Sequence, residues 1–435
     1  MTPPSPHRTR FALFAALLFG RWLAGPAVAS DAPTVAPFAL RDGDRVLFYG
    51  DSITDQNLYN AFVESFVLTR FPALQVSFRH AGWGGDSVGG GGGGKIDLRL
   101  QRDVIPYHPT VLTIMLGMND GHYKALDPET LATYTAGYAH ILDTIQPALP
   151  GLRCYLIQPS AYDDVTRAPL FAGGYNAVLI RFAQELAALA QSHHCQVVDF
   201  NTPVVNALTQ AKVLDGLLAP KLIPDRIHPG PAIHLVMAAA LLEAWNAPGV
   251  VTTVEIDAAQ MRVPRAEFTH VALLAGADGL VWDQQDERLP MPMNREDSSI
   301  ALADRVAGIT PRLNRETLKV SGLAGGRYSL QIDGAAVGTF TATELAAGLN
   351  LALLNTPMAR QADAVLLLAL KHNRLHTVRW RAVEVGTAEI TTEPVTRLRG
   401  QLMDEMDAEE RDLIRDERAR AQPASHHYEL VATGT

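Results

Sequence analysis

The sequence predicts an α/β fold, a doubly wound parallel sheet, followed by a smaller β-rich, sandwich-like domain. Three observations predict it. Between Arg45 and Trp245, short apolar runs alternate with segments whose apolar residues recur at helical spacing. Those runs are predominantly apolar, as expected of strands covered on both faces by helices. Beyond Pro248-Gly249 the pattern changes to the polar–apolar alternation of half-buried strands.

The expected parallel strands are residues 46–49, 76–78, 111–115, 154–157 and 196–200. The helical patterns between them cover 59–71, 128–145, 174–192 and 231–245. The second of these opens at Asp127-Pro128, an N-cap followed by proline at the first helical position. In the second region, 250–256, 266–274, 279–282, 317–320, 326–333 and 335–340 read as antiparallel strands. Asp333-Gly334 supplies a hairpin turn. Residues 360–369 read as a helix, and 388–420 as a charged helical stretch. The expected organisation is an N-terminal leader (1–29), an α/β domain (38–247), a β-rich accessory domain (250–387) and a charged helical C-terminal segment (388–435).

A chain of 435 residues with 47 % hydrophobic and 19 % charged residues has ample material for large cores. Lys and Arg number 37 against 46 Asp and Glu, a net charge of −9, which argues against nucleic acid as a partner. Two cysteines exclude a disulfide-stapled scaffold. His7-Arg8-Thr9-Arg10, the apolar run 11–20 and Ala27-Val28-Ala29 form a basic, apolar and A-x-A sequence typical of an export signal. Cleavage near Ala29 removes three arginines and no acid, deepening the charge to −12. The mature chain is expected to be secreted or periplasmic, with no membrane span.

Unusual residues stand at the predicted strand ends. Gly50-Asp51-Ser52 follows the first strand, His80-Ala81-Gly82-Trp83-Gly84-Gly85-Asp86-Ser87 the second, and Gly117-Met118-Asn119-Asp120 the third. Asp225-Arg226-Ile227-His228 precedes the last helix. Acyl transfer needs a hydroxyl nucleophile, an imidazole base and a carboxylate that fixes the imidazole tautomer. Ser52, His228 and Asp225 supply these types, the last two on one loop. The oxyanion needs several fixed donors. The Ser52 amide, the Gly85 amide and the Asn119 side chain can provide them.

These four blocks resemble those of the SGNH (GDSL) hydrolase superfamily, over roughly residues 44 to 246. The resemblance implies a flavodoxin-like sheet of strand order 2-1-3-4-5, esterase, deacetylase or lipase activity, and no cofactor. One departure is His80, where family members often carry Asn; Gly85, directly before Asp86, is the glycine that fits the pattern best. Asp51 and Asp120 read as scaffold residues of the loops. Asp51 is also placed with Trp83, His122, Tyr123, Gln158, Tyr162 and Arg226 among residues that could face substrate. Aromatics mixed with amides and charges suit a sugar.

The six glycines 89–94 lack the Gly-Lys-Ser/Thr continuation of a phosphate loop and read as a flexible or closely approached loop. His80, His122, His193 and His194 show no metal-ligand pattern, and no metal is expected. Cys154 and Cys195 begin neighbouring strands, as a disulfide or, the favoured reading, as two buried free thiols. No apolar lid for long acyl chains is visible. The expected protein is a secreted serine esterase acting on a small-molecule or polysaccharide ester, foremost O-acetyl groups on carbohydrate. The alternatives are a short-chain arylesterase, lipase or thioesterase with the same triad, or a glycan-binding surface protein with a vestigial site.

Overall fold

Five strands form the expected parallel sheet: β1 (Arg45–Gly50), β2 (Ser77–Gly82), β3 (Val111–Met115), β4 (Arg153–Ile157) and β5 (Gln196–Val198). Their order is β2-β1-β3-β4-β5, the flavodoxin-like doubly wound arrangement. This computed structural model describes residues 1, 37–274 and 279–433; the export signal expected within residues 1–29 lies outside the described residues. β3 is buried at every position and β1 at all but Arg45, because helices cover both faces. Those helices are α1 (Ser52–Asp55), α2 (Tyr59–Arg70), α3 (Pro128–Ala148), α4 (Tyr175–Ser192), α5 (Asn201–Leu214) and α6 (Pro231–Ala244). α3 starts where the sequence placed it: the Asp127 carboxylate accepts the Thr130 N–H at 2.8 Å. No described helix is long and apolar enough to cross a membrane. Cys154 is buried and Cys195 half-buried, and both are free thiols.

Beyond Pro248 lie β6 (Val250–Asp257), β7 (Arg262–Glu267), β8 (Thr269–Leu274), β9 (Gly279–Asp286), β10 (Arg315–Ser321), β11 (Arg327–Ile332), β12 (Ala335–Thr341) and β13 (Ser425–Thr433). One sheet runs β8-β9-β13-β11-β12; the other joins β10, β6 and β7, with the short strand Leu349–Asn350 beside β10. The two sheets share a core: Val254, Leu318 and Val320 from one meet Trp282, Leu330 and Leu430 from the other.

The sequence reading did not include α5 or the helix Ser298–Ala307, and three further differences bear on topology. β6 and β10 run parallel, since the connection between them is long enough for a crossover that includes α7 (Ser298–Ala307). Alternation reports one buried face but not strand direction. The single strand expected at 266–274 is two, broken at Phe268, whose φ of +55° lets the chain leave one sheet and enter the other. The C-terminal segment is not helical to its end. After α9 (Glu393–Arg420) comes β13, in the middle of its sheet, with His426, Tyr428 and Leu430 inward.

Residues Phe38–Thr435 form one compact unit. The reason lies in α2, buried along its whole length. On one side it packs against α6, on the other against α8 (Pro357–Thr377), which in turn carries α9. Arg70 donates to the carbonyls of Pro248 and Leu313 at 2.6 and 3.0 Å. His372 of α8 sits between two buried carboxylates, 3.0 Å from Glu417 and 3.8 Å from Glu64. Asn373 donates to Glu64 at 2.8 Å. Apolar packing and buried hydrogen bonds thus weld the second half of the chain to the first.

Glu316, inward-facing on β10, is fully buried, and neither carboxylate oxygen has a partner among the described residues. Burial, reinforced by Asp286 and opposed by Arg70, pushes its pKa from 4.5 up to about 8. The folded chain therefore holds this proton to higher pH than the unfolded chain. That contribution to stability is full below pH 4.5 and is lost as pH rises through 8. Glu316→Gln is expected to match the parent's Tm near pH 5 and exceed it at pH 8.5. Parallel melting curves over that range check this.

Candidate active site

The four sequence blocks converge at the carboxyl ends of β1, β2 and β3 and on the loop before α6, where open α/β sheets place their sites. Asp51 caps α1: its Oδ1 accepts the Ile53 N–H at 2.9 Å, and the residue is 1 % exposed. It holds the turn beneath Ser52 instead of facing the cleft. Ser52 Oγ lies 2.8 Å from His228 Nε2, and His228 Nδ1 lies 2.6 Å from Asp225 Oδ2. The other Asp225 oxygen accepts the Ile227 and His228 N–H groups at 2.9 and 2.7 Å. Arg226, with φ of +74°, folds the loop back so that three-residue spacing delivers both side chains. Partial burial raises the Asp225 pKa, but hydrogen bonds from the His228 side chain and from the two amides outweigh it and leave the carboxyl below its usual range. An ionised Asp225 places the imidazole proton on Nδ1 and leaves Nε2 free to accept from the Ser52 hydroxyl.

Gly85 has φ of +78°, a conformation that L side chains rarely adopt, and a Cβ there would meet only open space. Backbone conformation is what its position asks of it. Asn119 donates one Nδ2 hydrogen to the Asp86 carbonyl at 2.8 Å and keeps the other. Its Oδ1 accepts the Tyr123 hydroxyl at 2.8 Å. That bond depends on a turn in which His122 and Tyr123 both have positive φ, +52° and +56°. Burial, with Asp51 adding to it, pushes the Tyr123 phenol up to about 12, so it remains a donor. Asp120 accepts the Val88 N–H at 2.9 Å and supports the same loop. Burial raises its pKa to about 6 and that of Asp51 to about 7, Asp51 also feeling Asp120 and Asp86.

Of the residues expected to face substrate, His122 and Tyr123 are exposed beside the site. Tyr162 is buried, its ring near Tyr123 and Tyr175. Gln158 sits half-buried just past β4, its N–H on the Val198 carbonyl at 2.9 Å. Arg226 is spent on structure, donating to the carbonyls of Asp163 and Ala168 at 3.2 and 3.0 Å. Trp83 is half-buried, with the guanidinium groups of Arg381 and Arg99 4.4 and 5.2 Å from its ring centroids and Trp380 edge-on at 5.4 Å. It is a packing residue, not a bare sugar platform. His80 is buried, with Nε2 2.8 Å from Thr377 Oγ1. The glycine run 89–94 folds into a tight hairpin that pairs Gly90–Gly91 with Gly94–Lys95.

Two networks were not legible in the sequence. The Tyr59 N–H donates to His234 Nδ1 at 3.2 Å, which places that ring's proton on Nε2, 3.2 Å from Gln56 Oε1; Gln56 Nε2 then donates to the Pro229 carbonyl at 3.0 Å. Burial, with His228 adding to it, lowers the His234 pKa to about 3 and keeps the ring neutral. This relay ties the segment after Ser52 to the residue after His228. The second is the salt bridge from Arg99 to Asp86, 2.8 Å and fully buried, beside Gly85. A buried histidine in an apolar helix and an arginine in a short helix carry no local sign of these partners.

Residues 48–236 match the model of the GDSL-like Lipase/Acylhydrolase family. The chain carries a GDSL-like hydrolase domain. It is accordingly an enzyme of the SGNH type that hydrolyses carboxylic esters. The chain is similar to an acetylxylan esterase of Geobacillus stearothermophilus, 25 % identical over 224 residues that cover 46 % of this chain and 93 % of that enzyme. Among solved structures it is similar to that of a gut microbial diltiazem-metabolizing enzyme. The TM-score is 0.78 at 25 % identity, covering 91 % of this chain and 98 % of the other. That likeness reaches well beyond the hydrolase domain into the β-rich sheets.

Proposed function

We propose that this SGNH hydrolase is a secreted serine esterase that removes O-acetyl groups from carbohydrate, using Ser52, His228 and Asp225 as a triad. The observation that carries the reading is the unbroken hydrogen-bonded chain from the Ser52 hydroxyl through His228 to Asp225. Ser52 Oγ attacks the ester carbonyl while His228 Nε2 takes its proton. The carbonyl oxygen, now negative, is held by the Ser52 and Gly85 amides and the free Asn119 Nδ2 hydrogen. Each such donor contributes about 3 kcal/mol in mutational tests. His228 returns the proton to the leaving sugar alkoxide, and the acetyl group stays on Ser52. Water then attacks the acetyl carbonyl carbon as His228 takes its proton, the bond from that carbon to Ser52 Oγ breaks, His228 returns the proton to Oγ, and acetate leaves. Asp225 orients the imidazole and stabilises its charged form in both halves.

The acetylxylan esterase relative supports the acetylated-sugar reading, as does the exposed Tyr123 beside the site. The export pattern within residues 7–29 supports a place of action outside the cytoplasm. A second reading, esters of small organic molecules, is favoured by the near full-length likeness to an enzyme that metabolizes diltiazem. Acetate release from acetylated xylan and xylo-oligosaccharides, compared with a series of aryl esters, tests the choice. Faster turnover of the acetylated sugars is expected. Release from the sugars no faster than that of an enzyme-free control, with aryl esters turned over, overturns the carbohydrate reading in favour of the second.

A further inference from the structure

β2 ends directly against the end of the nucleophile helix: a Cβ on Gly82 would lie 2.3 Å from the Asp55 amide nitrogen. From Gly82 the chain passes through Trp83 and Gly84 to Gly85. The position of the Gly85 amide relative to Ser52 therefore depends on how firmly these two ends are held together. The group that joins them comes from the far end of the chain. Arg381 stands 326 residues from Asp55, in the wide helical stretch Val378–Val385 that continues α8. Its Nη1 and Nη2 donate to the two Asp55 carboxylate oxygens at 3.0 and 2.6 Å, and Nη2 also donates to the Gly82 carbonyl at 2.7 Å. The same guanidinium lies 4.4 Å from the Trp83 ring centroid. Its neighbour Trp380 meets Trp83 edge-on and donates Nε1–H to Asp103 at 2.9 Å. Asp103 also pairs with Arg99, which donates to Asp86 at 2.8 Å and to the Ala81 carbonyl at 2.5 Å. Residues on both sides of Gly85 are thus anchored, and the C-terminal helical stretch supplies the anchor on the Gly82 side.

We propose that Arg381 is a positioning residue for ester hydrolysis: by clamping Asp55 and Gly82 together it fixes the Gly85 amide against Ser52. The C-terminal helical stretch is then part of the hydrolase's working structure, beyond any supporting or binding role of the β-rich sheets. This rests on the reading of Gly85 as an oxyanion donor. A planar fork suits the task, since it binds a carboxylate with two parallel bonds and still reaches a carbonyl. A lysine offers a single ammonium in place of that fork and cannot reproduce the two parallel bonds.

The test uses the full chain with Arg381→Ala and Arg381→Lys. Displacement of a catalytic group by about 1 Å costs up to roughly 100-fold in rate. For Arg381→Ala, kcat toward p-nitrophenyl acetate is expected to fall between about 10-fold and that limit, with KM moving far less. Arg381→Lys should stand between the two. Amide hydrogen exchange over residues 83–91, which contain the Ser87–Gly90 backbone bonds, is expected to quicken in Arg381→Ala. Parental kcat together with parental protection over 83–91 overturns the inference. If Arg381→Ala does not fold, Arg381→Lys is read by the same two measurements. An active Ser52→Ala would instead overturn the proposed function. The exchange result does not depend on catalysis and still decides whether Arg381 holds the loop.

Discussion

Ser52→Ala is expected to remain folded and to lose ester hydrolysis by roughly 10⁴- to 10⁶-fold in kcat, the scale seen when a serine nucleophile is removed. The expectation of a folded variant is specific. Ser52 Oγ has His228 Nε2 as its hydrogen-bond partner, and the His228 side chain is 38 % exposed, so water can take the vacated place. The cap of α1 is the Asp51 carboxylate, which the substitution leaves alone. The measurement pairs p-nitrophenyl acetate turnover with intact mass after a fluorophosphonate probe. The parent should gain one adduct and the variant none. An adduct on the variant, or undiminished turnover, would remove Ser52 from the role of nucleophile.

Asn119→Ala is expected to lower kcat by about 10²- to 10³-fold while KM changes much less, because an oxyanion donor acts in the transition state. Its side chain is held at both ends, by the Asp86 carbonyl and the Tyr123 hydroxyl. The donor is thus aimed before substrate arrives, and no ordering is left to do during the reaction. Asn119→Asp sharpens the test. It keeps the shape and can still accept from Tyr123, but offers a negative carboxylate where a donor is needed. Steady-state kinetics of the two variants should show comparable losses. Parental kcat in either would exclude the Asn119 side chain from stabilising the oxyanion.

Much of the first half was legible because its signals are short in range. Continuous apolar strands, an Asp-Pro helix start and a Gly-Asp-Ser turn each report the backbone within a few residues. Asp225 and His228 are the limiting case: three positions apart, they come together through one loop conformation. Trp83 shows the opposite. An aromatic beside the predicted oxyanion glycine looked suited to stacking on a sugar, but its ring is engaged by Arg99, Trp380 and Arg381. β13 was missed for a related reason: its alternation follows a long charged helix, and its place between β9 and β11 is set by partners over ninety residues away.

The α/β sheet, the four blocks and the residue types suited to acyl transfer were legible from the chain alone, since each is written in local spacing. Tertiary structure decided which of the nearby polar residues turn toward the site and which are consumed by the scaffold. It also decided that the C-terminal helices belong to the body that holds the site. Those outcomes rest on contacts such as Arg381 with Asp55 and His372 with Glu64, between residues some three hundred positions apart. No local pattern encodes such partners, because burial and charge pairing select them only when the chain has closed on itself.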